Sequence, residues 1–164
     1  MSTRFFNCLL VLLVAFSCLS TAYAQNIGKP LAPFEIQLSN GKKFVKQDLK
    51  KEPVIIVYFS PDCGHCKDFT KEILQHQSAI KNKQMVMVTY TPLSTVEQFE
   101  RANFISMFPN VKVGTEGESY KVMRYYGVRS FPYLALYDSN GRFVRSFEGE
   151  QPFKTVLNSI QSLK

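Results

Sequence analysis

Between Pro53 and Ser60 the chain reads Val54-Ile55-Ile56-Val57-Tyr58-Phe59, apolar throughout. A strand with one wet face alternates apolar and polar residues, whereas a strand covered on both faces does not. The run therefore reads as a central strand with layers above and below it. Met85 to Tyr90 and Tyr133 to Tyr137 are two further segments of the same kind. Strands of this type alternating with amphipathic stretches point to one α/β domain.

The remaining punctuation orders the elements. Phe34 to Leu38 alternates as a strand, Ser39-Asn40-Gly41-Lys42 is a hairpin turn, and Phe44-Val45 begins the return. Phe69, Ile73 and Ile80 mark one helical face. Pro92 ends the strand before it, and Ser94-Thr95-Val96-Glu97 has the spacing of a capping box that would start another helix. Val111 to Val113 reads as a short strand and Glu118 to Tyr126 as a helix ended by Gly127. Asp138-Ser139-Asn140-Gly141 is a turn, with Phe143 to Phe147 as the partner strand. Pro152 suits a helix start, and Phe153, Val156, Leu157, Ile160 and Leu163 form one apolar stripe. The order is a β-hairpin, then β-α-β-α, a short βα insertion, a second hairpin and a last helix.

Residues 1–24 read as a signal peptide ahead of a domain over 25–164. Arg4 gives the positive start, Phe5 to Leu19 is apolar apart from Asn7 and Ser17, and Ala22-Tyr23-Ala24 is a cleavage site. The apolar run, about 15 residues, is short for a membrane span of ~20. Membrane attachment would follow only if this segment were retained, or lipidated at Cys18, where Ala15-Phe16-Ser17-Cys18 is a poor lipobox. Periplasmic or otherwise exported placement is the expectation. Of the 4 cysteines, Cys8 and Cys18 fall in the removed segment, leaving Cys63 and Cys66 for an oxidising compartment. A bridge across two intervening residues closes too small a loop to stabilise the fold much. Chemistry explains the pair better.

Cys63-Gly64-His65-Cys66 lies between the apolar strand and a helix. Unpaired N–H groups and partial positive charge at a helix N-terminus favour a thiolate at its first cysteine. His65, when protonated, adds to that field, and Asp62 opposes it. Cys63, Gly64, His65 and Cys66 are the candidate catalytic residues. Cys63 attacks a partner disulfide, and Cys66, one turn on, resolves the mixed disulfide.

In these motifs the chain resembles the thioredoxin superfamily. The C-x-x-C after an apolar strand is one match. Tyr126-Gly127-Val128-Arg129-Ser130-Phe131-Pro132-Tyr133-Leu134 is similar to the superfamily's cis-proline segment, and Leu136-Tyr137-Asp138-Ser139-Asn140-Gly141-Arg142 to its β-hairpin. The lead-in from Ile27 to Lys51 and the long interval from Cys63 to Pro132 look like the TlpA/ResA-type extracytoplasmic branch. The resemblance implies a thioredoxin fold, with a central mixed sheet flanked by helices, an N-terminal β-hairpin and a βα insertion. It implies a cis Pro132 packed against the cysteines, and a backbone at Phe131 that pairs with an extended substrate. Phe131 and Pro132 are thus the candidate substrate-binding residues. The sequence departs from the family twice. Val57 stands where thioredoxins often bury an acid, and Phe69 where TlpA/ResA-like proteins often carry Glu. The Gly-His dipeptide is typical of protein disulfide isomerases.

The expected function is an extracytoplasmic thiol–disulfide oxidoreductase, with the reductase direction favoured. A disulfide oxidase or isomerase is one alternative, and a thioredoxin-fold binding or chaperone module with a structural disulfide is another. The expected partners are protein thiols and disulfides and a redox donor or acceptor protein. No cofactor and no metal are expected: His76 is the one other histidine, and there is no second C-x-x-C. Lys67, where a haem-attachment motif needs His, excludes that class. The formal charge of +7 comes from scattered lysines without interleaved aromatics, so nucleic acid is not an expected partner.

Overall fold

The computed structural model describes residues 29–164; the signal-peptide reading, Cys8 and Cys18 lie outside them. In chain order the elements are β1 (Glu35–Leu38), β2 (Lys43–Val45), β3 (Val54–Tyr58), α1 (Gly64–Gln75), α2 (Gln77–Ile80), β4 (Gln84–Thr89), α3 (Leu93–Ala102), β5 (Val111–Thr115), α4 (Lys121–Tyr126), β6 (Tyr133–Tyr137), β7 (Phe143–Glu148) and α5 (Phe153–Gln161). The strands form one 7-stranded mixed sheet in the order β2-β1-β5-β4-β3-β6-β7. β3, β4 and β5 are parallel, while β6 runs antiparallel to β3 and β1 antiparallel to β5. This is the expected thioredoxin-like α/β fold, with the N-terminal hairpin added at the β5 side.

β3 is buried at every position, as its unbroken apolar run requires. Alternate side chains go to opposite faces. Ile55, Val57 and Phe59 meet residues of α1, α3 and α5, while Val54, Ile56 and Tyr58 meet Leu31, Phe34 and the α4 residues Val122 and Tyr126. A buried Phe59–Phe99 pair, 4.7 Å between centroids, ties β3 to α3 on the first face. On the second face Tyr126 Oη receives the Ala32 amide at 3.1 Å and lies 3.0 Å from Tyr137 Oη. Gly41 takes φ +78° in the first hairpin turn, and Gly114 on β5 is obligatory for contact. A Cβ there would stand 2.8 Å from the Gln37 carbonyl O, so only glycine lets β1 lie against β5.

Three helical expectations change. The face marked by Phe69, Ile73 and Ile80 belongs to two helices, because the chain breaks at His76 (φ −97°, ψ 51°). The capping box is not formed: α3 starts at Leu93, and the Pro92 carbonyl takes the first amides, Thr95 N–H at 2.9 Å and Val96 N–H at 3.3 Å. Ser94 is therefore already inside the helix. The helix read over 118–126 is interrupted as well. Gly117–Ser119 is a 3-10 turn, Tyr120 is left-handed at φ +47°, and α4 begins only at Lys121.

Candidate active site

β3 delivers the chain directly to the thiols. The Cys63 amide donates to the Ser60 carbonyl at 3.1 Å. That turn makes Cys63 the N-cap of α1, in extended conformation, with its Sγ accepting the Cys66 amide at 3.4 Å. This is the capping role a Ser or Asp oxygen would fill, performed here by sulfur. A negative charge on that sulfur would face the unpaired N–H groups and positive end of a 12-residue helix.

The two thiols are unbridged and differ in setting. Cys63 is partly exposed, and Cys66 is 1% exposed among Phe69, Val57 and Phe59. Burial, then the hydrogen bond shared with Cys63, push the Cys66 thiol up to about 12, against a smaller opposing pull from the Ser60 backbone. Among the described residues no carboxylate is hydrogen-bonded to Cys66 or is among the causes that shift it: Val57 and Phe69 are buried in the same cluster, while Asp68 and Glu72 are exposed. Thr70 Oγ1 instead donates to the Cys66 carbonyl at 2.8 Å.

Gly64 opens the helix on the exposed side, where a Cβ would meet nothing within 4 Å, so no steric demand for glycine exists there. His65 is exposed. Its Nδ1 lies 3.6 Å from Glu150 Oε2, so Glu150 is its acidic neighbour. His76 is also exposed, with Nδ1 2.8 Å from the Glu72 carbonyl.

Opposite the thiols stands the loop before β6. The Phe131–Pro132 bond is cis, as the resemblance implied, and the Phe131 carbonyl O is 4.0 Å from Cys63 Sγ. The loop is held from behind by the end of β7. Glu148 Oε1 accepts the amides of Arg129 at 2.5 Å and Ser130 at 2.9 Å, and the Gly149 amide donates to the Pro132 carbonyl at 3.0 Å. Cys63, Cys66, Phe131 and Pro132 thus converge at one end of the sheet. Sequence reasoning missed Glu148 and Glu150, which follow a strand and look like ordinary solvated charges. It also missed Glu116, a nearly buried carboxyl that accepts Tyr58 Oη at 2.8 Å and the Val122 amide at 2.7 Å. The one available signal was a charged residue directly after an apolar strand. Among the described residues no group of three or more His, Cys, Asp or Glu could hold a metal ion, and no helix is long and apolar enough to cross a membrane.

The arrangement of a half-exposed sulfur at a helix start, a buried second thiol one turn on and a facing backbone carbonyl suits thiol–disulfide exchange. Comparison with known proteins agrees. The thioredoxin-like domain family matches residues 41–164. The chain is 26% identical over 110 residues to "Probable protein disulfide-isomerase A4" of Caenorhabditis elegans; the match covers 67% of this chain and spans only 17% of that protein. Among solved structures, a secreted disulfide oxidoreductase of Mycobacterium tuberculosis homologous to E. coli DsbE superposes with TM-score 0.65 at 16% identity, covering 80% of this chain and 96% of that one. The exposed lipoprotein thioredoxin Etrx1 of Streptococcus pneumoniae gives TM-score 0.58 at 24% identity, covering 80% and 100%.

Proposed function

The chain belongs to the thioredoxin-like domain family, and on that premise we propose that it is an exported thiol–disulfide oxidoreductase that reduces protein disulfides. Cys63 is the nucleophile and Cys66 the resolving thiol. His65 tunes the pair from the helix start, Gly64 keeps the sulfur open to solvent, and Phe131 with cis Pro132 receives the substrate chain. The observation that carries this reading is the asymmetry of the pair. Cys63 faces outward at the cap of α1 toward the Phe131 carbonyl, and Cys66 is sealed behind it.

The Cys63 thiolate attacks one sulfur of a substrate disulfide. A Cys63–substrate disulfide forms, and the other substrate sulfur leaves as a thiolate. Cys66 gives up its proton to solvent and attacks Cys63 Sγ. The Cys63–Cys66 bond forms, and the second substrate sulfur leaves. The substrate gains two electrons and two protons, and a second dithiol protein must reduce the pair again. Export is supported by the leader-like residues 1–24 and by the secreted relative. The Gly-His dipeptide and the disulfide-isomerase relative favour the oxidase or isomerase direction as the second reading.

Trapping tests the roles. Cys66→Ser should accumulate mixed disulfides through Cys63, and equal trapping by Cys63→Ser would reverse the assignment. Equilibration of the pair against glutathione tests the direction. A reductase should sit near the thioredoxin value of about −270 mV, and a value near −120 mV would make it an oxidase. Mass spectrometry of the secreted protein should find Gln25 first; an intact Met1 or a lipidated Cys18 would refute cleavage.

A further inference from the structure

Phe131 does more than face Cys63. Its half-buried ring stacks on Tyr58 at 6.0 Å between centroids and meets Tyr90 at 6.2 Å. Tyr90 in turn lies 5.8 Å from Tyr120. Phe131, Tyr90 and Tyr120 are all partly exposed. They form a row of rings that begins at the residue beside the nucleophile, drawn from the loop before β6, the end of β4 and the turn before α4. Tyr120 holds its place in a left-handed backbone, which a bulky residue adopts only at a cost in free energy. Glu116 supports both ends of the row. Its carboxyl accepts the hydroxyl of Tyr58, the ring against Phe131, and the Val122 and Met123 amides that follow Tyr120.

We propose that this row is a specificity subsite for an extended segment of the protein substrate, one carrying aromatic or large aliphatic side chains at alternate positions from the cysteine joined to Cys63. The proposal rests on the exchange reading above. A chain bonded to Cys63 Sγ must pass the Phe131 carbonyl, 4.0 Å away, and the row continues from that residue. Alternate side chains of a strand share one face about 6.6 Å apart. The steps of the row, 6.2 and 5.8 Å, fit that repeat. Flat π-faces accept aromatic and aliphatic partners without demanding one sequence.

The test uses the Cys66→Ser protein and peptides whose single cysteine is activated as a mixed disulfide with thionitrobenzoate. The Cys63 thiolate bonds to the peptide sulfur and coloured thionitrobenzoate leaves. One peptide has Phe two residues either side of the cysteine, and its twin has Ser. The Phe peptide should react about tenfold faster, equivalent to ~1.4 kcal/mol. The Phe-to-Ser ratio should fall to one in Tyr90→Ser/Tyr120→Ser and return in Tyr90→Phe/Tyr120→Phe. A ratio of one in the parent, or a ratio that survives loss of both rings, overturns the subsite. A small thionitrobenzoate disulfide, too short to reach the row, separates the two levels. If it too releases no thionitrobenzoate, the exchange reading itself has failed.

Discussion

The burial of Cys66 sets the pH dependence of the resolving step. Once Cys63 is tied to a substrate, its hydrogen bond and charge no longer hold the Cys66 proton, but burial, the largest cause of the rise to about 12, remains. Burial therefore keeps the Cys66 thiol above an ordinary thiol near 8.5, and its thiolate population stays below that thiol's at neutral pH. Val57 and Phe69 occupy the places from which an acid could relay the proton, so the step depends on the equilibrium thiolate alone. Rapid mixing of the reduced protein with a symmetric aromatic disulfide that releases a coloured thiolate reads this directly. The first release reports attack by Cys63 and scales with reagent concentration, whereas the second is intramolecular and reports Cys66. The second rate should climb about tenfold per pH unit from about pH 6 and still be climbing beyond pH ~8.5, where an ordinary thiol levels, and it should be missing in Cys66→Ser. A plateau near neutral pH would refute the reasoning, since it requires either a proton acceptor or a thiol far more acidic than its surroundings allow.

Four other outcomes are expected. Burial raises Tyr58, Tyr137 and, to about 12, Tyr126. Their folded-state values exceed the unfolded value of ~10, so this contribution to stability is full below pH ~10 and is lost as pH rises toward 12, by about 3 kcal/mol from Tyr126 alone; urea midpoints against pH should show the fall, and a flat profile would contradict it. Tyr58→Phe removes a donor from the nearly buried Glu116 and should cost about 1–3 kcal/mol in urea unfolding, whereas an unchanged midpoint would mean that solvent reaches that carboxyl. Replacing His65 by Pro should make the pair more reducing by at most a few tens of millivolts, because an exposed charge effect is about 1 kcal/mol or less and ~30 mV corresponds to 1.4 kcal/mol. Glu150→Gln, which removes a negative charge from the helix start beside His65, should shift the potential the other way; glutathione equilibration of both variants checks the signs.

Local chemistry made much of this legible in advance. The apolar run of β3, the positive-φ turn at Gly41 and the Phe131-Pro132 segment each carry their meaning within a few residues. What escaped depends on which of several competing acceptors takes an amide once the chain is folded, near in sequence at Tyr120 and Ser94 and distant at Glu148. Nothing near Tyr120 announces a left-handed residue, because the carboxyl that receives the following amides competes with helix continuation only once Glu116 is folded beneath them. Ser94 and Glu97 have capping-box spacing, but the Pro92 carbonyl is already positioned to accept the first amides. Glu148 bonds amides 18 and 19 residues before it, a contact that exists only when β6 and β7 pair.

Under the proposed function, a protein that accepts extended client chains would face a hazard from its own sheet. The described sheet ends in β2 and β7, and an open strand edge templates pairing with any unfolded chain. β2 is only three residues long, begins at the exposed Lys43 and is preceded by the exposed Lys42. β7 carries the exposed Arg145 and is irregular where it meets β6. Clients are thereby discouraged from adding to the sheet at either margin. Under the proposed function, strand-like capture falls to the loop beside Cys63, away from both margins, and a client chain held there would leave once its disulfide had been exchanged.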